Sequence, residues 1–360
     1  MEEKKIGISR DLVIHPGETI GDVLEERGIM QTELATRTGV SSAYVSNVIA
    51  GKKDISANFA MGLEYALGVP KSFWLNLQAN YKAELLELNK EQTIIEEERT
   101  AWNELKEVVK YLRQKGVMPA REKKDEAILS LRKVLQISNI SNLRKMIPVG
   151  EFRMATKTTI NPYVLGAWIR WCQIIGDNER IETQFDVRQI DSLIADIKKV
   201  MLQDDENFPN DLKVVMSKYG ISFSVVMNFK GAPVQGYISQ KSDRTYHMVL
   251  TIRGAFADIF WFSLFHEIGH IVNGDVAKNP KFIDGGNDET KEVAANRFAS
   301  DKLLHPRSYV EFVEKGDFSI EAIKSYAISQ SVKPYIIIGR LQKEQYLAYS
   351  CFSEYKLRYK

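Results

Sequence analysis

The chain has 360 residues, 44% of them hydrophobic and 27% charged, which excludes a disordered or fibrous protein and suggests two or three globular domains. A net charge of +2 is too small to hold nucleic acid by bulk electrostatics, so any DNA contact has to come from locally arranged residues. Cys172 and Cys351 have neither metal nor disulfide spacing, no apolar run is long enough to span a membrane, and the N-terminal MEEKKIGISRDLVIHPGET lacks a secretory pattern; together these suit a cytoplasmic protein without membrane partners.

Residues 17–80 read as five short helices, GETIGDVLEERG, QTELATRTG, SSAYVSNVIAG, SANFAMGLEYALG and PKSFWLNLQANYKAELL. Gly28, Gly39, Gly51 and Gly68 stand where helices should stop, and Ser41, Ser56 and Pro70 where the next should start. Within this stretch QTELATRTGVSSAYVSNVIAGKK has helix-turn-helix spacing: Ala35 lets two helices approach, Gly39 supplies the turn, and Val45 and Ile49 anchor the second helix on the core. That phase turns Ser42, Ala43, Tyr44, Ser46 and Asn47 toward base edges and sets Gln31, Lys52 and Lys53 near phosphates. Residues 1–80 carry 8 Lys+Arg against 10 Asp+Glu, so non-specific DNA affinity should be weak and a homodimer on a palindromic operator is expected. The stretch from His15 to Tyr81 is similar, nearly throughout, to the HigA-type branch of the Xre helix-turn-helix family. That resemblance implies a lambda-repressor-like fold, a dimeric repressor and, in many relatives, an antitoxin with a toxin partner.

From 81 to 124 the sequence is charge-dense with helical period and reads as a helical connector closed by Gly116 and Pro119, its charges solvated. Residues 125–360 form the last domain. Helical stretches around DEAILSLRKVLQIS, NISNLRKM, NPYVLGAWIRWCQII and DVRQIDSLIADIKKVMLQ make a shoulder. Strand-like segments cluster at 220–253, in GISFSVVMNF, APVQGYISQ and RTYHMVLTIRG. The fold class is mainly α with a small β-sheet (α+β).

Next comes WFSLFHEIGHIVNGD. His266 and His270, four apart, share one helix face and can share a metal ion, while Glu267 lies about 100° round from His266, free to act on a metal-bound water. Zinc there lowers the pKa of its water and polarises a scissile carbonyl, and the glutamate takes the proton and returns it to the leaving amine. A catalytic zinc needs a third protein ligand. The extended H-E-x-x-H-x-x-G-x-x-H form is excluded by Asn273 and Val276, leaving Asp275, Asp284, Asp288, Glu289 and Glu292. Glu292 is the best of these, because it opens a new amphipathic helix 22 residues after His270, with Asn296 one turn on as a hydrogen-bond partner for a ligand histidine. His305 reads as a surface residue or a transition-state donor, His247 as structural, and Tyr237 and Tyr246 as cleft-lining or packing residues.

LFHEIGHIVNGD followed by EVAANRFASDKLLHP resembles the ImmA/IrrE-type metallopeptidases, whose second motif E-x-x-A-[ND]-x-F-A-x-x-L-L-x-P is matched by Glu292, Ala295, Asn296, Phe298 and Ala299, with Leu303, Leu304 and Pro306 one position further on than the motif sets them. The resemblance runs from about residue 125 to the end. It implies a zincin-like fold, zinc ligation of the gluzincin kind by His266, His270 and Glu292, and Glu267 as catalytic base. The two motifs together suggest a repressor whose zinc-dependent endopeptidase domain cleaves a repressor or its own connector. The competing reading is a HigA-like antitoxin and autorepressor whose peptidase-like domain is a non-catalytic sensor or partner-binding module.

Overall fold

The computed structural model describes residues 13–147, 160–203, 207–241, 244–252, 256–278, 281–283 and 289–359. The chain divides into two compact units, Met1–Ile95 and Glu96–Lys360. No described helix is long and apolar enough to cross a membrane.

The first unit is five helices: α1 (Pro16–Arg27), α2 (Gln31–Thr38), α3 (Ser42–Ile49), α4 (Ala57–Leu67) and α5 (Lys71–Leu88). They begin where the sequence places caps. Ser41 Oγ accepts from Tyr44 N at 3.1 Å and Ser56 Oγ from Phe59 N at 3.2 Å, satisfying donors that the first helical turn leaves without partners. α1 has a cap the sequence reading did not assign: His15 Nδ1 accepts from Gly17 N at 2.9 Å. The core of the unit is built by Ile20, Leu34, Val45, Phe59, Leu63 and Trp74 with their neighbours. The second anchor of α3 is Val48, fully buried, whereas Ile49 is only partly covered. Ile49, the expected second anchor, also packs on the core from its partly covered side, so Val45, Val48 and Ile49 together hold α3.

The second unit opens with α6 (Glu96–Glu104) and α7 (Lys106–Gln114), followed by α8 (Lys124–Val134), α9 (Pro162–Asn178), α10 (Ile190–Gln203) and α11 (Phe208–Ser217). The expected boundaries at 80/81 and 124/125 fall inside the two units, and the expected connector is split between them. Ala101, Leu105, Val108 and Leu112 recur at helical spacing and are buried, so residues 96–114 are core-forming rather than a solvated link. A bidentate pair between Arg132 and the fully buried Glu98, whose Oε1 also accepts from Ile140 N at 3.0 Å, ties α6 to α8 and to the short 3-10 segment Ile140–Met146.

Four strands, β1 (Ile221–Val226), β2 (Gly236–Gln240), β3 (Tyr246–Thr251) and β4 (Lys281–Ile283), form one sheet in the order β1-β3-β2-β4. β1 runs parallel to β3, with Ile221 opposite Tyr246, and β2 is antiparallel to both β3 and β4. Every residue of the inner strand β3 is buried, as expected of a strand covered on both faces. Against the sheet lies α12 (Ala257–Val272), followed by α13 (Asp275–Lys278), α14 (Glu289–Leu303), α15 (Pro306–Lys315), α16 (Ile320–Ser329) and α17 (Pro334–Lys343). Phe260, Trp261, Leu264, Phe265, Ile268 and Ile271 fill the space between α12 and the sheet. The strand-like stretch expected across 232–240 narrows to Gly236–Gln240, and β4 was not expected at all.

Candidate metal centre and nucleic-acid interface

α12 carries His266, Glu267 and His270 inside the protein, at 6%, 0% and 0% exposure, where polar groups are costly unless partnered. α14 comes close enough to supply those partners because α12 has a glycine at 269. A Cβ there would stand 3.1 Å from Ala295 Cα and 3.2 Å from Phe298 Cβ, tighter than ordinary contact. With Ala295 and Ala299 facing it, α14 brings its first turn over the histidines. Glu292 Oε2 then lies 3.3 Å from His266 Nε2, Glu292 Oε1 3.6 Å from His270 Nε2, and the two Nε2 atoms 3.0 Å apart.

The other ring nitrogens are also held. His266 Nδ1 meets Asn296 Oδ1 at 3.1 Å and His270 Nδ1 meets Asp275 Oδ2 at 2.9 Å. An oxygen acceptor at each Nδ1 fixes the proton there and leaves the Nε2 lone pair directed into the cluster. Two lone pairs and a carboxylate converging at this range repel one another unless a cation lies between them, so the donor set fits a metal ion. Among the described residues, His266, His270 and Glu292 are the group able to hold one, with ligand atoms all within 4.8 Å of one another.

The remaining sequence candidates separate clearly. Asp275 sits behind His270 and fixes its ring, Glu289 is exposed at the start of α14, and Asp284 and Asp288 lie outside the described residues. Asn296 occupies the place expected of it. Glu267 points to the sheet side, its carboxylate against Gly236 at the start of β2, where any Cβ would collide with it. His305 is exposed at the head of α15, away from the cluster's cleft. Tyr237 packs edge-on against Trp168 with its hydroxyl pushed up to about 12 by burial, and Tyr246 packs against Phe185, so both are packing residues. His247 is structural as expected: burial pushes its pKa down to about 4, and Nδ1 bonds Ser222 Oγ at 2.7 Å.

His266, Glu292 and Asn296 open into a cleft of about 680 Å3. Its apolar wall is Ile259, Phe262, Leu303, Leu304 and Ile336, and Gln235 lies at its sheet side. Charged residues missed by the sequence reading form the far wall. Lys356 Nζ bridges Asp258 Oδ2 at 3.0 Å, Arg340 Nε pairs with Glu344 at 2.9 Å, and Lys343 Nζ stands 4.8 Å from the centre of the Phe262 ring. An apolar wall facing charged residues suits a peptide with apolar side chains better than a small polar metabolite.

In the first unit, α2 and α3 form the expected helix-turn-helix, with Gly39 at φ 71° between them and Ala35 buried in their contact. Ser42, Ala43 and Ser46 are exposed, Asn47 is half-buried, and Gln31, Lys52 and Lys53 are exposed at the ends of the motif. Tyr44 differs from the others. Its hydroxyl donates to Asp54 O at 3.2 Å and contacts Ser56 Oγ at 3.3 Å, and its ring packs edge-on against Phe59, so it braces α3 while offering only one face outward. Arg37 is paired with Glu33, Lys71 with Glu64, Lys82 with Asp54 and Lys90 with Glu87. Lys52 and Lys53 form no ion pair among the described residues, which concentrates the available positive charge just after α3.

Residues 20–74 match the family model described as helix-turn-helix. The chain is 43% identical over 68 residues to Virulence-associated protein A' of Dichelobacter nodosus, covering 19% of this chain and 59% of that protein, so it spans a little over half the length of this curated relative. Solved structures that align here include Pseudomonas aeruginosa antitoxin HigA with the higBA promoter, 34% identical over 22% of this chain and 88% of that one, with a TM-score of 0.21. Another is a Pseudomonas aeruginosa protein in complex with its operator DNA, 34% identical over 22% of this chain and 90% of that one, with a TM-score of 0.21. By the match over residues 20–74 and the geometry of α2 and α3, the N-terminal unit is a helix-turn-helix domain.

Proposed function

We propose that the chain is a homodimeric repressor of a palindromic operator whose second unit, a zincin-like fold of the ImmA/IrrE kind, is a zinc-dependent endopeptidase that cleaves a repressor and so relieves repression. The observation that carries this reading is the convergence of His266, His270 and Glu292 with both outer ring nitrogens already occupied. Zinc held by these three residues would supply a Lewis acid for a peptide carbonyl. Asn296 and Asp275 keep the two imidazoles in the tautomer that presents Nε2. Glu267 takes a proton from the attacking water and delivers it to the leaving amine. The apolar wall of the cleft binds substrate side chains, and Gln235 hydrogen-bonds the peptide backbone from the sheet side.

A substrate supplied by a separate protein is favoured over the chain's own 81–124 segment. An endopeptidase cleft takes an extended strand, whereas residues 96–114 are helical with their apolar stripe buried. A second reading, an antitoxin whose zinc-site domain binds a toxin or senses a signal without cutting, is favoured by the antitoxin named among the relatives of the N-terminal unit.

Glu267→Gln separates the two. In a lysate digest with the full chain and zinc, the natural protein should generate new peptide termini that the variant does not, while zinc content and operator affinity stay unchanged. Equal cleavage by both proteins removes Glu267 from the mechanism, and absence of any cleavage by the natural protein favours the non-catalytic reading.

A further inference from the structure

The face of α6 and α7 that points away from the core carries a second, unassigned feature. Trp102, Lys106, Lys110 and Arg113 recur at steps of four, four and three, one stripe continuing through the break between the helices at Leu105. With Val109 and Ala120 they line an open groove of about 470 Å3, within the size range of small-ligand sites.

Three cations on two turns of helix repel one another and weaken the helix unless an anion offsets them. Among the described residues no carboxylate pairs with them. Three carboxylates of α6 and α7 are committed elsewhere: Glu98 to Arg132, Glu104 to Asn161 Nδ2 at 2.6 Å, and Glu107 to Lys230 N at 3.0 Å. Lys106, Lys110 and Arg113 form no ion pair among the described residues, and the Nε of Arg113 is buried without an acceptor. Beside these donors stands Trp102, partly buried, which offers a flat apolar surface.

We propose that this groove binds a small phosphorylated ligand with a planar ring, a nucleoside phosphate. The Arg113 fork and the two ammonium groups take the phosphates, and the ring stacks on Trp102. Duplex DNA offers the same phosphates but no free base face, so Trp102 distinguishes the two sources. The site lies outside the metal cleft and holds whether or not that cleft cuts peptides.

The test is calorimetric titration of the full chain at low salt with ADP, adenosine and inorganic phosphate. ADP should bind saturably, and adenosine and phosphate each about tenfold more weakly or worse. Lys106→Gln with Lys110→Gln, both exposed and so harmless to the core, should weaken ADP by about tenfold or more. Arg113→Lys keeps the charge but loses the fork and should weaken it less, and Trp102→Leu should weaken ADP while leaving phosphate unaffected. Zinc content should stay unchanged in the lysine variants, and the melting midpoint should hold or rise slightly as the repulsion is removed. The proposal is overturned by no saturable ADP binding at millimolar concentration, by binding that ignores these substitutions, by equal affinity for ADP and phosphate, or by variants that alter only operator affinity.

Discussion

Gly269→Ala tests whether helix proximity builds the metal centre. The new Cβ would meet Ala295 Cα at 3.1 Å and Phe298 Cβ at 3.2 Å, a few tenths of an ångström inside ordinary contact. Backbone cannot rotate away as a side chain can, so α14 has to shift. Overpacking of this kind costs about 1–3 kcal/mol, and alanine regains about 1 kcal/mol over glycine in a helix interior. The net loss of stability is therefore about 0–2 kcal/mol. The effect on the site is larger, because α14 carries Glu292, whose oxygens stand 3.3 and 3.6 Å from the two Nε2 atoms. Ligand placement has to hold within about 0.5 Å, and displacement should lower zinc affinity about 10- to 100-fold, the range seen when supporting groups of metal ligands are lost. Chelator competition measures the affinity, and thermal melts with and without chelator measure the stability. A variant that holds zinc as tightly as the natural chain would refute the claim that this contact positions Glu292.

The remaining predictions concern other links of the account. His247 is neutral when folded, with its pKa pushed down to about 4 from an ordinary 6.5. The unfolded chain therefore binds a proton first as pH falls, and stability present above pH 6.5 should be lost down to about pH 4, by up to about 3 kcal/mol. Comparing denaturant midpoints of natural and His247→Gln protein isolates this slope; parallel pH profiles would contradict it. Gly236→Ala should abolish cleavage by displacing the Glu267 carboxylate while leaving zinc bound, so a variant with full peptidase activity would mean that Glu267 does not work from its position against β2. Lys52→Ala and Lys53→Ala should each weaken operator binding across sequences and reduce the salt slope by about 1. Gel shifts at several salt concentrations would count against these contacts if slope and affinity stayed constant.

What was legible in the sequence was what short-range rules govern. Ser41, Ser56, Gly28, Gly39 and Gly68 act within one turn of themselves, and the helices of the first unit begin and stop at them. His266 and His270 lie on one face by the helical period alone, and Glu292 and Asn296 were reached from the amphipathic start of the next helix. Errors came where a distant segment decides. Neither the parallel pairing of β1 with β3 nor the place of β4 is encoded in strand propensity. Asp275 was one of five acids at comparable range; its role follows from which way the His270 ring faces, a property of the packed state. Two further signals are present in the sequence. Ala101, Leu105, Val108 and Leu112 recur at core-facing spacing within the charged stretch taken as a connector, and Gly269 inside HEIGH marks the close helix contact.

Metal content of the protein purified without added zinc tests directly whether His266, His270 and Glu292 form a single zinc site. About one zinc per natural chain is expected, lost in both His266→Ala and Glu292→Ala, with operator binding retained. No metal after zinc addition, or zinc that survives both substitutions, would contradict it and leave a DNA-binding regulator whose buried histidines serve only to pack α12 against α14.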